Sequence, residues 1–254
     1  MTNPILELKA VTTYVNRHTP DEQKILRGIN LKVMPGDFIT VLGANGAGKS
    51  TLFNTIGGNL AVDEGTIEVN GQPITHLSEE KRTRFLSRVF QDPKLGTAPR
   101  MTVAENLLLA EKRGEHRGLV FRGLKKQMDR FRELTGTMKN ELSQRLNTPA
   151  GELSGGQRQA LSFLMATIKR PEILLLDEHT AALDPKTSQE LLEATNTRIH
   201  EDKLTCLMIT HHLEDALKYG NRLIVLDKGQ IIIDVSGEEK QRLTLEDLYE
   251  YFEI

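Results

Sequence analysis

The chain is short of several features that would announce a class. It has one cysteine in 254 residues, Cys206, so no internal disulfide can form, and the apolar run around that residue points to core packing. No stretch approaches the ~20 consecutive apolar residues that cross a bilayer, and no signal-peptide pattern opens the chain, so any membrane role has to be borrowed from a partner. A formal net charge of −2 offers no general attraction to nucleic acid or anionic lipid. One stretch is locally basic, Lys112 to Gly118 continuing through Arg122, Lys125 and Lys126. Few aromatics interleave with its charges, which argues against a nucleic-acid surface and leaves a solvated helix face or loop, or contact with lipid headgroups. Internal repeats and low-complexity tracts are absent. What is present is length and 38% hydrophobic residues, enough for a sizeable core.

The first part of the chain reads as strands and turns, at Leu6 to Tyr14, Ile29 to Val33 and Thr66 to Asn70 before a turn at Gly71. Glu79 to Ser87 predicts a short charged helix, and Val89-Phe90 a strand running into Gln91. From Asp92 to about Thr148 the pattern turns helical, with Thr102 capping Val103 to Ala110 and an amphipathic segment at Leu124 to Thr135. Strands resume at Ile173, Leu207, Leu223 and Ile231. Strands alternating with helices call for an α/β fold on a mainly parallel sheet, in one domain with an inserted helical lobe.

Three segments carry chemistry. Gly43 to Ser50 fits G-x-x-x-x-G-K-[ST], in which glycines let backbone N–H groups cradle phosphate oxygens, Lys49 reaches the terminal phosphates and Ser50 offers a hydroxyl to Mg2+. Its context fits: Phe38 to Leu42 reads as a buried strand, and Lys49 to Ile56 as a helix whose positive end faces the anion, closed by Gly57-Gly58. Ile173 to Leu176 followed by Asp177-Glu178 suits a buried parallel strand that delivers acids to its C-terminal edge, Asp177 for the metal shell and Glu178 to polarise an attacking water. Ser154-Gly155-Gly156-Gln157 opens a helix with Ser154 as N-cap and Leu161, Leu164, Met165 and Ile168 on one buried face. Glycine amides, a hydroxyl and a helix N-terminus there make a second anion site; a flexible Ser-Gly-Gly linker would not be followed by such a helix.

In this order, the motifs resemble the ATPase subunit of ABC-type (ATP-binding cassette) transporters over most of the chain. The resemblance implies a P-loop NTPase (RecA-like) core with an N-terminal antiparallel β subdomain, in 1–91 and 165–240, a helical subdomain with the signature in 92–164, and a C-terminal tail in 241–254. It implies Tyr14 stacked on adenine; Gly43, Ala44, Asn45, Gly46, Ala47, Gly48, Lys49, Ser50 and the adjoining Thr51 as the Walker A contacts; and Gln91 as the Q-loop residue. Ser154, Gly155, Gly156 and Gln157 fall in the signature, Asp177 and Glu178 at Walker B and the catalytic glutamate, Asp184 in the D-loop, and His211 at the switch histidine, with His212 a bystander. Lys49, Glu178 and His211 are the implied catalytic set, and Ser50, Gln91 and Asp177 the implied metal set. His179 departs from the proline common at that position.

The family works as a head-to-tail pair, so the resemblance implies a homodimer in which each ATP, with Mg2+, lies between one copy's Walker A loop and the other's signature. It further implies a peripheral place on the cytoplasmic face of the membrane, under a transmembrane permease. Gln91 to Pro99, Asp177 to Thr187 and Asp234 to Lys240 are similar to a narrower group of bacterial importer ATPases that also use an extracytoplasmic binding protein, with tryptophan or tyrosine uptake suggested for some. The alternatives are a non-transport ATPase of DNA repair or translation, which would usually carry coiled-coil insertions, zinc cysteines or two cassettes, and an ATP-gated scaffold, against which Glu178 and His211 argue. No nucleic-acid partner is expected.

Overall fold

The computed structural model describes residues 3–115, 123–138 and 140–250; His116, Arg117, Gly118 and Arg122 of the basic stretch, and tail residues 251–254, lie outside them. In chain order come β1 (Leu6–Val15), β2 (Gln23–Val33), β3 (Phe38–Leu42), α1 (Lys49–Gly57), β4 (Glu64–Val69), β5 (Gln72–Pro73), α2 (Glu79–Arg82) and β6 (Leu86–Val89). Next are α3 (Val103–Glu111), α4 (Leu124–Gly136), α5 (Gly155–Thr167), β7 (Ile173–Asp177), α6 (Pro185–Glu201) and β8 (Cys206–Ile209). The chain closes with α7 (Leu213–Lys218), β9 (Arg222–Asp227), β10 (Gln230–Ser236), α8 (Gly237–Arg242) and α9 (Leu245–Glu250).

β1, β2, β4 and β5 form an antiparallel sheet in the order β2-β1-β4-β5, and the other six strands form a second sheet in the order β10-β9-β3-β8-β7-β6. All pairs in the second sheet are parallel except β10 with β9. The α/β class expected from the sequence is therefore the class observed. β3, β7 and β8 are buried along their whole length, as strands covered on both faces must be. Their alternate residues serve different cores. Ile39, Val41, Ile173, Leu175, Leu207 and Ile209 meet α1 and the antiparallel sheet. Phe38, Leu174, Leu176, Cys206 and Met208 face α5, α6 and the helical lobe.

α5 differs from the amphipathic helix expected. From Arg158 to Leu164 every residue is buried, because the helix is wedged between α3 and α4 on one side and β6 and α6 on the other. A helix enclosed on all sides shows no polar face to read. The charged helix expected over Glu79 to Ser87 is also cut short. It ends at Arg82, and Leu86–Val89 pairs in parallel with Ile173–Leu176, extending the strand expected at Val89-Phe90 backwards. β2 likewise begins at Gln23, six residues before the expected start, because an edge strand of a hairpin tolerates polar residues on its open side. Among the described residues no helix is long and apolar enough to cross a membrane.

Arg82, the last residue of α2, anchors that helix to the core. Its guanidinium, fully buried, donates to four backbone carbonyls: Leu77 (3.0 Å), Thr75 (2.7 Å), and Thr55 and Ile56 at the end of α1 (both 2.7 Å). It thereby places a cation at the negative end of α1 and ties that helix to the β5–α2 turn. Arg82→Met should cost about 3 kcal/mol in urea unfolding, since several buried acceptors lose a charged donor at once. Arg82→Lys should recover less than half of that loss, because an ammonium cannot reproduce the planar fork.

Candidate functional site

Asp177 and Ile209 are paired in register, as are Ile209 and Val41, so β7, β8 and β3 end at one level. The residues that follow them therefore leave the sheet at a single edge: Glu178 after β7, Thr210-His211 after β8, and Gly43 after β3. Sheets of this type bind ligands outside these carboxyl ends. There a cavity of about 320 Å³ is lined by Ala44 to Thr51, Glu178, His211 and Ile25.

Three glycines in the loop from Gly43 to Gly48 have positive φ, and the first and last fix its ends. Gly43 has φ +156°, and a Cβ on it would stand 2.5 Å from the Leu226 carbonyl. Gly48 has φ +106° and serves as the N-cap of α1, which makes no side-chain cap hydrogen bond. α1 thus presents its first amides to the cavity, an arrangement suited to an anion. Lys49 is buried, and its Nζ donates to the carbonyls of Gly43 (2.6 Å) and Ala44 (3.1 Å). Burial pushes its pKa down, against the opposing pull of Glu178 and Asp177.

His211 Nε2 stands 2.5 Å from a Glu178 carboxylate oxygen. The Glu178 backbone lies in the left-handed region, φ +45°, which a glutamate adopts only when its surroundings hold it there. His211 and His212 are both exposed, and His212 sits at the N-cap position of α7. Asp177 does not line the cavity directly; its carboxylate is ion-paired with Arg88. Gln91 follows β6 with an exposed side chain and is also absent from the lining. Tyr14, next to last in β1, has its N–H on Asp63 (2.7 Å) and its ring below the Arg17 and Lys24 cations, at 5.3 and 5.6 Å, outside the cavity wall.

The Ser154 to Gln157 segment lies elsewhere. None of it lines the cavity, and its neighbours are the start of α6: a Cβ on Gly156 would strike the Thr187 methyl, and one on Gly155 would touch Leu183. Asp184 caps that helix by accepting from Thr187 N–H at 3.1 Å, and the Thr187 hydrogen bonds hold its carboxyl below the ordinary carboxylate range. Ser154 and Gln157 form a reciprocal capping box, Gln157 N–H to Ser154 Oγ at 3.2 Å and Ser154 N–H to Gln157 Oε1 at 3.3 Å. Ser154 Oγ accepts in that box, so its own O–H stays available as a donor to an outside anion.

Two buried groups near the site escaped the sequence reading. Arg88 joins Asp177 to Asn54 of α1, and Gln159 of α5 donates to the Phe90 carbonyl at 3.0 Å, immediately before Gln91. A charged residue inside Leu86–Val89 was the available signal for Arg88. For Gln159 there was none, since its role arises from packing across 69 positions of sequence.

Comparison with known proteins fits this geometry. Residues 26–181 match the ABC transporter family. A tyrosine transport ATP-binding protein of Clostridioides difficile is 43% identical over 98% of this chain and 99% of its own. A phosphonates import ATP-binding protein of Lactococcus lactis is 32% identical, over 92% of this chain and 96% of its own. A dimeric ATP-binding cassette solved in a post-hydrolysis state with ADP and Pi superposes with a TM-score of 0.77 at 28% identity, covering 91% of this chain and 98% of that one.

His179 sets a pH dependence for this corner of the fold. It is buried, with Nε2 3.5 Å from Thr195 Oγ1, and burial pushes its pKa from 6.5 to about 4. The unfolded chain therefore takes up this proton first as the pH falls. The contribution is present in full above about pH 6.5 and is lost between there and pH 4, by roughly 3 kcal/mol in all. Urea midpoints measured from pH 7.5 to 5 should fall more steeply for the natural chain than for His179→Gln; parallel curves would exclude His179 as the source.

Proposed function

The chain belongs to the ABC transporter family and is a transport-coupled ATPase that binds ATP; from that premise we propose that it powers an importer as a homodimer, each reaction centre being shared between two copies. The observation that carries this reading is the separation just described. Lys49, Glu178 and His211 surround one cavity, while Ser154 to Gln157 open a different surface beside Asp184. A second copy, turned head to tail, brings its Ser154 hydroxyl and glycine amides to the phosphates held by the first copy's loop. The dimeric state of a solved relative supports this.

In this mechanism the amides of residues 44–49 and the Lys49 ammonium hold the phosphates, and Tyr14 stacks on adenine. Glu178 orients and polarises the attacking water, and His211, in close contact with Glu178, keeps that carboxylate and the terminal phosphate in attack geometry. The Asp177 carboxylate, the Ser50 hydroxyl and the Gln91 amide, all hard oxygens, would hold Mg2+, which would supply neutralisation of developing phosphate charge; of the three, Ser50 lines the cavity in this structure. Gln91 reports loss of the terminal phosphate to the helical lobe of residues 92–164. A groove of about 510 Å³ beside it, lined by Phe90, Gly96, Leu109 and the exposed Leu95, receives a permease from the membrane side. The names of relatives support import, and an aromatic amino acid such as tyrosine is the proposed cargo. An extracytoplasmic binding protein would deliver it.

Glu178→Gln should retain ATP binding and stabilise the dimer while lowering turnover about a hundredfold or more, the usual weight of a general base. The shared site is tested by mixing chains. Ser154→Arg and Lys49→Ala should each be inactive alone, whereas their mixture retains one intact composite site and should regain measurable hydrolysis. No recovery in dimers proven to form would refute sharing.

A further inference from the structure

Arg88 lies in β6, opposite Leu175, with its side chain directed toward α1. One guanidinium nitrogen is ion-paired with Asp177 and the other donates to Asn54 Oδ1 at 2.7 Å; both charged side chains are largely buried, 14% and 11% exposed. The same guanidinium lies 4.9 Å from the centre of the Phe90 ring, and the Phe90 carbonyl accepts from Gln159 of α5. Arg88 Nε is buried with no partner among the described residues, so the ion pair and the Asn54 bond are what hold the group. One cation thus touches the proposed metal carboxylate, the helix that follows the phosphate loop, and the aromatic residue preceding Gln91.

We propose that Arg88 is a positioning residue that competes with the divalent metal for Asp177 and passes the outcome to Gln91 through Phe90. The inference rests on Asp177 being a metal ligand. A guanidinium and a divalent ion at one partly buried carboxylate repel each other, and low effective dielectric makes that repulsion count. Arg88 therefore keeps Asp177 neutralised and oriented while weakening metal affinity, and it loosens its grip when Asp177 turns to the metal. Because Arg88, Phe90 and Gln91 are almost consecutive, that loosening is felt at the Q-loop, and α5 feels it through Gln159. A merely structural Arg88 would stabilise every ligand state equally.

The test uses the full chain with a non-hydrolysable imido analogue of ATP, so that catalysis plays no part. Mg2+ is titrated and its half-saturating concentration is read from analogue binding. Arg88→Met should lower that concentration about tenfold, the order expected for removing one like charge beside a divalent ion at such a site. Arg88→Lys, which keeps the charge, should stay within about twofold of the natural chain. If Arg88→Met leaves the midpoint unchanged while Asp177→Asn raises it, the competition is refuted and the metal reading stands. If Asp177→Asn also changes nothing, the metal reading falls, and this proposal with it. Should Arg88→Met fail to fold, amide exchange in the natural chain decides. Residues 88–92 should exchange faster with Mg2+ and analogue than with analogue and chelator, and equal rates overturn the proposal.

Discussion

The parallel register of β3, β8 and β7 is the constraint on which everything else depends. Val41, Ile209 and Asp177 stand side by side, so the three segments that follow are delivered to one edge without any loop having to reach for another. Slipping one strand by a single residue would turn its buried set to the wrong face and carry Glu178 or His211 away from the phosphate loop. Burial on both faces is what forbids the slip, since alternate residues of each strand are claimed by different cores. The strained backbone of Glu178 is held in the same way, by an N–H bond to the Ile209 carbonyl at 3.2 Å and by rigid strands before and beside it.

α5 answers a different demand. Its N-terminal turn is exposed and carries Ser154 to Gln157, yet its body is buried between the lobe and the sheet. Gln157 donates onward to the Asn140 carbonyl of the lobe at 3.1 Å, and Gln159 to the Phe90 carbonyl of the sheet at 3.0 Å. A rigid rod gripped at both sides cannot move its outer end without moving what it touches. On the proposed mechanism this makes phosphate contact at Ser154 and Q-loop position beside Gln159, both in the first turns of α5, two readings of a single displacement, the kind of two-state element through which nucleotide occupancy can bias a partner.

Much of this was legible in the residues alone because the relevant signals are local. The glycines of 43–48 were readable since Gly43, Gly46 and Gly48 hold a backbone that side chains disfavour, and the N-caps at Thr102 and Ser154 because a hydroxyl residue ahead of an apolar helical pattern marks a helix start. The apolar runs of β3, β7 and β8 could be read because strands covered on both faces have no polar alternation. What escaped has a common cause. Arg82 bonds to carbonyls up to 27 positions away, Arg88 pairs across 89 positions, and Gln159 bonds across 69. Pattern reasoning sees periodicity along the chain; it does not see which carbonyl or carboxylate the fold will bring beside a buried guanidinium. The extent of α5 burial was hidden likewise, since enclosure depends on neighbours that are far away in sequence.

The central claim, that one copy holds only part of a reaction centre, is tested most directly by following ATP turnover per chain as the protein is diluted, with sedimentation equilibrium in Mg2+ and ATP recording the state of association. The account predicts that turnover per chain falls in proportion to the fraction of paired copies and vanishes where single chains prevail. Turnover per chain that stays constant into the range where only single chains sediment would contradict it.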